Sequence, residues 1–389
     1  MILMAPIHLE AESHHELLTI TVRRFNEAAS WLAQKGFDSH TFGKFSLQRG
    51  YYRQVRTRFG LSAQMAVRAI AVVAAAFKRD RNRCPAFRSN AAVPYDARIL
   101  SFKRGDNVSI LTLRGRRAIR FRCGERQRQL MQRGVGECRL IQRRGKWCLM
   151  CSVEVEEPVA SPPRQFLGVD LGIINLAATS DGEIIKACKV DRLRRIYGEK
   201  RRRLQKAEAS KRDKRPKNIR RKLRRLSRKE RFFCRDVNHC ISKDLVRKAK
   251  DSIRGIALED LRGIRGRIRF RKADRARMSS WSFGQLRRFI EYKAVLAGVL
   301  VMPVLARNSS RQCSKCRWVD KQNRRFQKFS CVRCAHTDHA DVNAAKNHAY
   351  RAEVSLPIVS MLVLLRWYSG TSTGTNAGVA DRTLRFGCE

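Results

Sequence analysis

Two cysteine pairs constrain this chain more firmly than any other local feature: Cys313 with Cys316, and Cys331 with Cys334, with fourteen residues between the pairs. Each CxxC turn aims two thiolates at one point, and a hairpin of that length brings the second pair opposite, completing a tetrahedral set. The pattern predicts one structural Zn2+, because four thiolates leave no position open to a substrate. His336 and His339 follow closely but are not needed as ligands. Arg317, Lys321, Arg324, Arg325 and Lys328 place positive charge on the loop between the pairs. A third CxxC, Cys148 and Cys151, falls in an alternating strand pattern, where residues three apart face opposite ways; it reads as packing. Thirteen cysteines, an odd number, suit free thiols in a reducing compartment better than a disulfide framework.

A formal charge of +50 over 389 residues would repel itself unless a polyanion neutralised it, so nucleic acid is the expected partner. A membrane is not expected: the chain lacks an uninterrupted apolar run of about 18 residues. Nothing at its amino terminus has the layout of an export signal. A cytosolic or nuclear compartment follows.

Periodicity divides the chain. Residues 13 to 95 read as helical, with Leu18, Val22, Phe25 and Leu32 at helical spacing. From Ile99 to Glu157 short alternating segments separated by Gly105, Gly115 and Gly145 predict an antiparallel sheet or barrel. Pro158, Ser161, Pro162 and Pro163 mark a linker. Strands are then expected at Phe166 to Asp170, around Leu176 to Thr179, at Ile253 to Leu258 and at Val299 to Leu305. A helix is expected over Trp281 to Gly298. Between the strands, Arg192 to Arg235 carries 22 Lys or Arg against 4 acidic residues. With only a narrow apolar stripe, this predicts a helical pair presenting a nucleic-acid face. Arg201, Arg202, Arg203, Lys222 and Arg225 are its candidate contacts. A second basic stretch from Arg262 to Arg277, broken by Gly263 and Gly266, adds Arg265, Arg267 and Arg269 as a flexible phosphate-binding loop. Arg324 and Arg325 complete the candidate nucleic-acid contacts.

Three carboxylates stand out by position. Asp170 ends an apolar strand, where an unpaired carboxylate is costly, and Gly172 follows two residues later. Glu259 repeats the pattern; Asp260 is adjacent, but alternate strand residues face opposite ways, so only one of the two points into a shared site. Asp341 starts a helical segment seven residues after the last cysteine. One at a time these read as capping or turn residues. Brought together, they would hold two Mg2+ ions about 3.5 to 4 Å apart for phosphodiester hydrolysis. Spacing alone cannot establish that they converge.

The segments GVDLGIINLAATSDG, IALEDLRG, WSFGQLRRFIEYKAVLAG and SSRQCSKCRWVDKQNRRFQKFSCVRCAHTDHADVNAAKNH resemble the RuvC-type core and inserted zinc ribbon of the TnpB family. These are transposon-encoded RNA-guided DNA nucleases, ancestral to type V CRISPR effectors. The resemblance covers roughly residues 165 to 350. It implies a multidomain α+β protein: a helical recognition module with an atypical start of the wedge (1–95), a wedge β-barrel (96–164), a ribonuclease H-like RuvC core with basic helices (165–308), a zinc ribbon (309–338), a last RuvC helix (339–350) and a mobile tail (351–389). It implies that Asp170, Glu259 and Asp341 are the catalytic, Mg2+-binding carboxylates, with Mn2+ as a substitute, and that Cys313, Cys316, Cys331 and Cys334 hold Zn2+. It selects Glu259 over Asp260. The implied activity is cleavage of double-stranded DNA beside a short adjacent motif, directed by a guide RNA from the transposon end, in a prokaryotic cytoplasm; the oligomeric state is left open, with a monomer favoured. The opening MILMAPIHLEAESHHELL departs from the family pattern, which puts the first wedge strand in doubt, and Arg317 stands where a glycine is common. A non-cleaving repressor from the same family and a compact CRISPR effector are the alternatives. An actin-like ATPase, suggested by GVDLG alone, leaves the charge and the cysteine pairs without a role.

Overall fold

The computed structural model describes residues 1–158, 162–209, 217–260 and 283–368. Ser161, Trp281, the stretch Arg262 to Arg277 with Arg265, Arg267 and Arg269, and the chain beyond Tyr368 lie outside the described residues. The chain divides into two compact units, one formed by Met1–Glu156 and the other beginning at Glu157, next to the proline-marked linker.

The first unit joins three helices to one antiparallel sheet. The helices α1 (His15–Asp38), α2 (Lys44–Phe59) and α3 (Ala63–Arg79) bury the faces their periodicity marks, Leu18, Val22, Phe25 and Leu32 on α1 among them. The Ser62 hydroxyl accepts the Met65 amide and caps α3. The strands are β1 (Ile2–Leu9), β2 (Val93–Tyr95), β3 (Leu100–Lys103), β4 (Asn107–Thr112), β5 (Gly115–Arg122), β6 (Cys138–Arg143) and β7 (Lys146–Glu154), with a short helix α4 (Glu125–Met131) between β5 and β6. Their order, β2-β6-β7-β1-β5-β4-β3, gives a nearly closed, barrel-like sheet.

The atypical amino terminus is an inner strand of that sheet. β1 pairs with β7 from Ile2 against Glu154 to His8 against Cys148, and Leu3, Ala5, Ile7 and Leu9 are buried. Pro6 discourages a strand reading because it lacks an N–H for the ladder. Here β5 pairs only with His8 and Leu9, so no second ladder runs past Pro6. Cys148 and Cys151 are both buried in β7, as packing residues; the Cys148 thiol lies 3.1 Å from the His8 ring nitrogen Nδ1.

The second unit is built on a mixed sheet of β8 (Phe166–Asp170), β9 (Asn175–Thr179), β10 (Ile184–Lys186), β11 (Gly255–Glu259) and β12 (Val301–Val304), in the order β10-β9-β8-β11-β12. β11 lies parallel to both β8 and β12, and β9 runs antiparallel to β8. Its helices are α5 (Cys188–Ala209), α6 (Lys217–Asp251), α7 (Phe283–Ala297) and α8 (Ala340–Tyr368). The pleat separates two cores. Leu167, Val169, Ile256 and Leu258 pack with Leu245 of α6 and with Leu286 and Ile290 of α7. Phe166, Ala257, Met302 and Val304 pack with Ala352 of α8.

Several expected boundaries move: the helical span read over 13 to 95 ends with α3 at Arg79, and Val93–Tyr95 is strand β2 rather than helix. β11 starts at Gly255 rather than Ile253, because Ile253 has φ +53° in the turn after α6 and is exposed. The last helix continues to Tyr368, so the segment after residue 350 starts as helix rather than as tail. No helix among the described residues is long and apolar enough to cross a membrane.

Candidate active site

Strand register brings Asp170 and Glu259 together. Leu258 is paired with Val169 and Ala257 with Gly168, so one residue further along these parallel strands places Glu259 beside Asp170. Alternation puts both on the face that carries Phe166 and Ala257, the face covered by α8. The same alternation sends Asp260 to the other side, where its carboxylate accepts from the Arg287 guanidinium of α7 at 3.1 Å. Two carboxylates at the carboxyl ends of adjacent parallel strands occupy the position where open α/β sheets bind ligands.

Gly172 makes the turn after Asp170 tight enough to return the chain into β9; a Cβ there would sit 2.6 Å from the Asn175 carbonyl oxygen. Gly168 has a different role. A Cβ on it would fall 1.8 Å from the Ala345 carbonyl oxygen, so α8 lies with its backbone against β8. That contact sets His348 over the strand end, fully buried, with Nε2 3.4 Å from Asp170 Oδ1. Asp170, Glu259 and His348 offer ligand atoms all within 4.8 Å of one another.

Asp341 lies seven residues before His348, two turns along the same helix, and is not part of that tight group. Its Oδ2 accepts from the Asn175 side-chain amide at 2.8 Å, and its Oδ1 faces Arg324 at 3.3 Å. His348 is the site residue that sequence reasoning missed. The available signal was its register with Asp341, but a lone histidine inside a helix reads first as a packing residue.

The electrostatics favour a cation. Burial, reinforced by the negative charge of Asp170, pushes the Glu259 carboxyl up to about 8, with Arg351 pulling weakly the other way. A carboxylate held in this way favours a proton or a metal ion, and a divalent ion satisfies both acids at once.

The four cysteines converge as expected, with all ligand atoms within 4.8 Å. Cys313 Sγ lies 3.6 Å from Cys334 Sγ, and Cys316 Sγ 3.5 Å from Cys331 Sγ. Thiolates at about 2.3 Å from one tetrahedral ion would stand about 3.8 Å apart, so the set fits zinc. In each knuckle the residue after the second cysteine, Arg317 or Ala335, is left-handed, with φ +63° and +55°. Arg317 tolerates this with its side chain engaged: it donates to Asn347 Oδ1 at 3.0 Å and stacks 3.6 Å above the Tyr350 ring. Cys331→Ser is expected to bring zinc from one ion per chain to near zero after dialysis against a chelator, read by elemental analysis, and to lower the melting temperature. Unchanged zinc content would refute the ligand assignment.

The basic residues are placed unevenly. Lys200, Arg203, Lys222, Arg225 and Lys229 line a groove between α5 and α6 with Leu204 and Leu226 in its floor. Arg201 is paired with Glu230 at 2.6 Å, and Arg202 and Arg325 are exposed.

Comparison with known proteins finds relatives over the same parts of the chain. A family model described as a probable transposase matches residues 150–263, and the model of the Cas12f1-like TNB domain matches residues 283–348. A TnpB-like protein of Methanocaldococcus jannaschii is 32% identical over 174 residues, 43% of this chain and 60% of that one. The Cas12f1 endodeoxyribonuclease of Sulfoacidibacillus thermotolerans is 35% identical over 116 residues, 29% of this chain and 26% of that one. InsQ of Escherichia coli K12 is 27% identical over 221 residues, 52% of this chain and 53% of that one. Each match spans less than two thirds of the relative's own length. A cryo-EM structure of a Cas12f1-sgRNA-target DNA complex has the same fold, with a TM-score of 0.60 at 15% identity over 85% of this chain and 82% of that one. The fold and the cysteine module thus define a protein of the transposase and Cas12f1-like class. Within it, the TnpB-like and InsQ relatives support a TnpB family member.

Proposed function

We propose that this chain is an RNA-guided, metal-dependent DNA endonuclease of RuvC type, carried by an insertion-sequence transposon. The observation that carries the reading is the pair of strand-end carboxylates, Asp170 and Glu259, set side by side where one of them resists ionisation. Relatives named endodeoxyribonucleases, and a fold shared with a protein bound to guide RNA and target DNA, support it.

In this reading Asp170, Glu259 and Asp341 hold Mg2+, with Mn2+ as a substitute. Such ions, when bound, supply the Lewis acid that polarises the scissile phosphate and lowers the pKa of an attacking water. The chain's own residues prepare that site. β8 and β11 fix the two carboxylates without loop freedom, and Asn175 orients Asp341 by holding one of its oxygens. Arg324 balances the other oxygen and is close enough to meet a phosphate that enters beside it. The groove of α5 and α6 carries backbone phosphates. The cysteine module, with one Zn2+, acts as a ribbon that holds the hairpin against the start of α8, where the Asn343 side chain accepts the Ser314 amide at 2.9 Å. Sequence specificity rests with base pairing to the guide, since positive grooves read backbone and shape.

The test is cleavage of a plasmid library by the purified chain with its co-purifying RNA and Mg2+. Cuts directed by that RNA beside one short motif are expected, and no cleavage would defeat the reading. A pH signature accompanies it. Below pH 8 a cation must displace the proton on Glu259, so the Mg2+ concentration for half-maximal cutting should rise about tenfold per pH unit as the pH falls.

A further inference from the structure

We infer that His348 is a direct ligand to the divalent cation held by Asp170 and Glu259, making this a mixed nitrogen and oxygen site rather than a purely carboxylate one. The inference rests on the nuclease reading but goes beyond its three carboxylates.

The ring is fully buried, and its Nδ1 has no hydrogen-bond partner among the described residues. Its other nitrogen, Nε2, lies 3.4 Å from Asp170 Oδ1. Charge-assisted N–H···O bonds prefer about 2.7 to 2.9 Å, so the contact is poor as a hydrogen bond. Neighbouring ligands of one ion with metal–ligand bonds near 2.1 Å stand about 3.0 to 3.4 Å apart, which the contact matches. The three side chains also come from three elements, β8, β11 and α8, each fixed by backbone packing or pairing, so the cluster is preorganised. A core histidine serving only to fill space would gain nothing from facing two acids.

An imidazole ligand shifts preference toward transition ions. Mg2+ favours oxygen donors in octahedral geometry, whereas imidazole suits later first-row metals, and affinity for a given nitrogen-containing site rises along that row. Mn2+ is therefore expected to bind more tightly than Mg2+, and the preference should shrink when the ring is removed.

The experiment uses the full chain with its RNA, loaded with Mn2+, and reads pulsed electron spin resonance and Mn2+ affinity by calorimetry. The wild type should show 14N coupling from one directly bound imidazole, absent in Asp170→Ala. His348→Gln and the better volume match His348→Leu should lose the coupling and weaken Mn2+ binding at least about tenfold. Retained zinc serves as the check that each variant is folded. Asp170-dependent Mn2+ binding without nitrogen coupling in the wild type overturns the inference and leaves the nuclease reading standing. Absence of any Asp170-dependent Mn2+ binding overturns both. The wild-type spectrum decides even where a variant fails to fold.

Discussion

Asp170→Ala is expected to reduce DNA cleavage by about a thousandfold or more, because losing a ligand to a catalytic cation removes several kcal/mol of transition-state stabilisation. RNA and DNA affinity should stay within about twofold of wild type, since the phosphate contacts that dominate nucleic-acid binding come from basic side chains elsewhere, foremost the groove of α5 and α6. The substitution has a second consequence. Asp170 supplies part of the repulsion that keeps Glu259 protonated, so without it the Glu259 carboxyl should titrate nearer its ordinary value. Asp170→Asn keeps the shape of the strand end and isolates the charge. Cutting retained by both variants would mean that the chemistry lies elsewhere; binding lost together with cutting would mean that Asp170 supports the fold rather than the reaction.

The parts of the site legible in the sequence are those where covalent spacing limits geometry. Two CxxC pairs and a hairpin-length loop define the thiol cluster without further information, and the cluster is found. Pleat parity required Glu259 and Asp260 to face opposite ways, and they do: one lies beside Asp170 and the other against Arg287. Parity could not say which faced the site, because that depends on which helix covers which side of the sheet. The same limit hid His348. Its meaning arises only once α8 lies across β8, a contact between residues far apart in sequence. At the amino terminus the alternation of Leu3, Ala5, Ile7 and Leu9 was present, but the opening was set aside because it departs from the family pattern. The strand forms all the same, and Pro6 fits because only part of β1 is paired on both sides.

Of the two glycines in the central parallel strands β8 and β11, Gly168→Ala should be the more damaging substitution. The new Cβ would lie 1.8 Å from the Ala345 oxygen, 2.8 Å from its carbonyl carbon and 2.9 Å from the Ala349 nitrogen. These are backbone atoms of a helix, which cannot rotate aside as a side chain can. Gly255→Ala, by comparison, would meet the Phe166 ring at 2.5 Å, a clash that a ring shift can relieve in part. Overpacking of a core typically costs about 1 to 3 kcal/mol, and with no side chain to yield, Gly168→Ala belongs at or above the upper end. The lost stability is only half of the expectation. Ala345 and Ala349 flank His348 on α8, and Asp341 lies one turn before Ala345, so lifting the helix moves both residues away from Asp170 and Glu259. Denaturant unfolding should therefore show a lower midpoint in Gly168→Ala than in Gly255→Ala, and the surviving folded protein should bind Mn2+ more weakly although no ligand has been changed. A Gly168→Ala protein with wild-type midpoint and wild-type Mn2+ affinity would mean that α8 does not lie against β8, and the placement of His348 over the strand end would have to be abandoned with it.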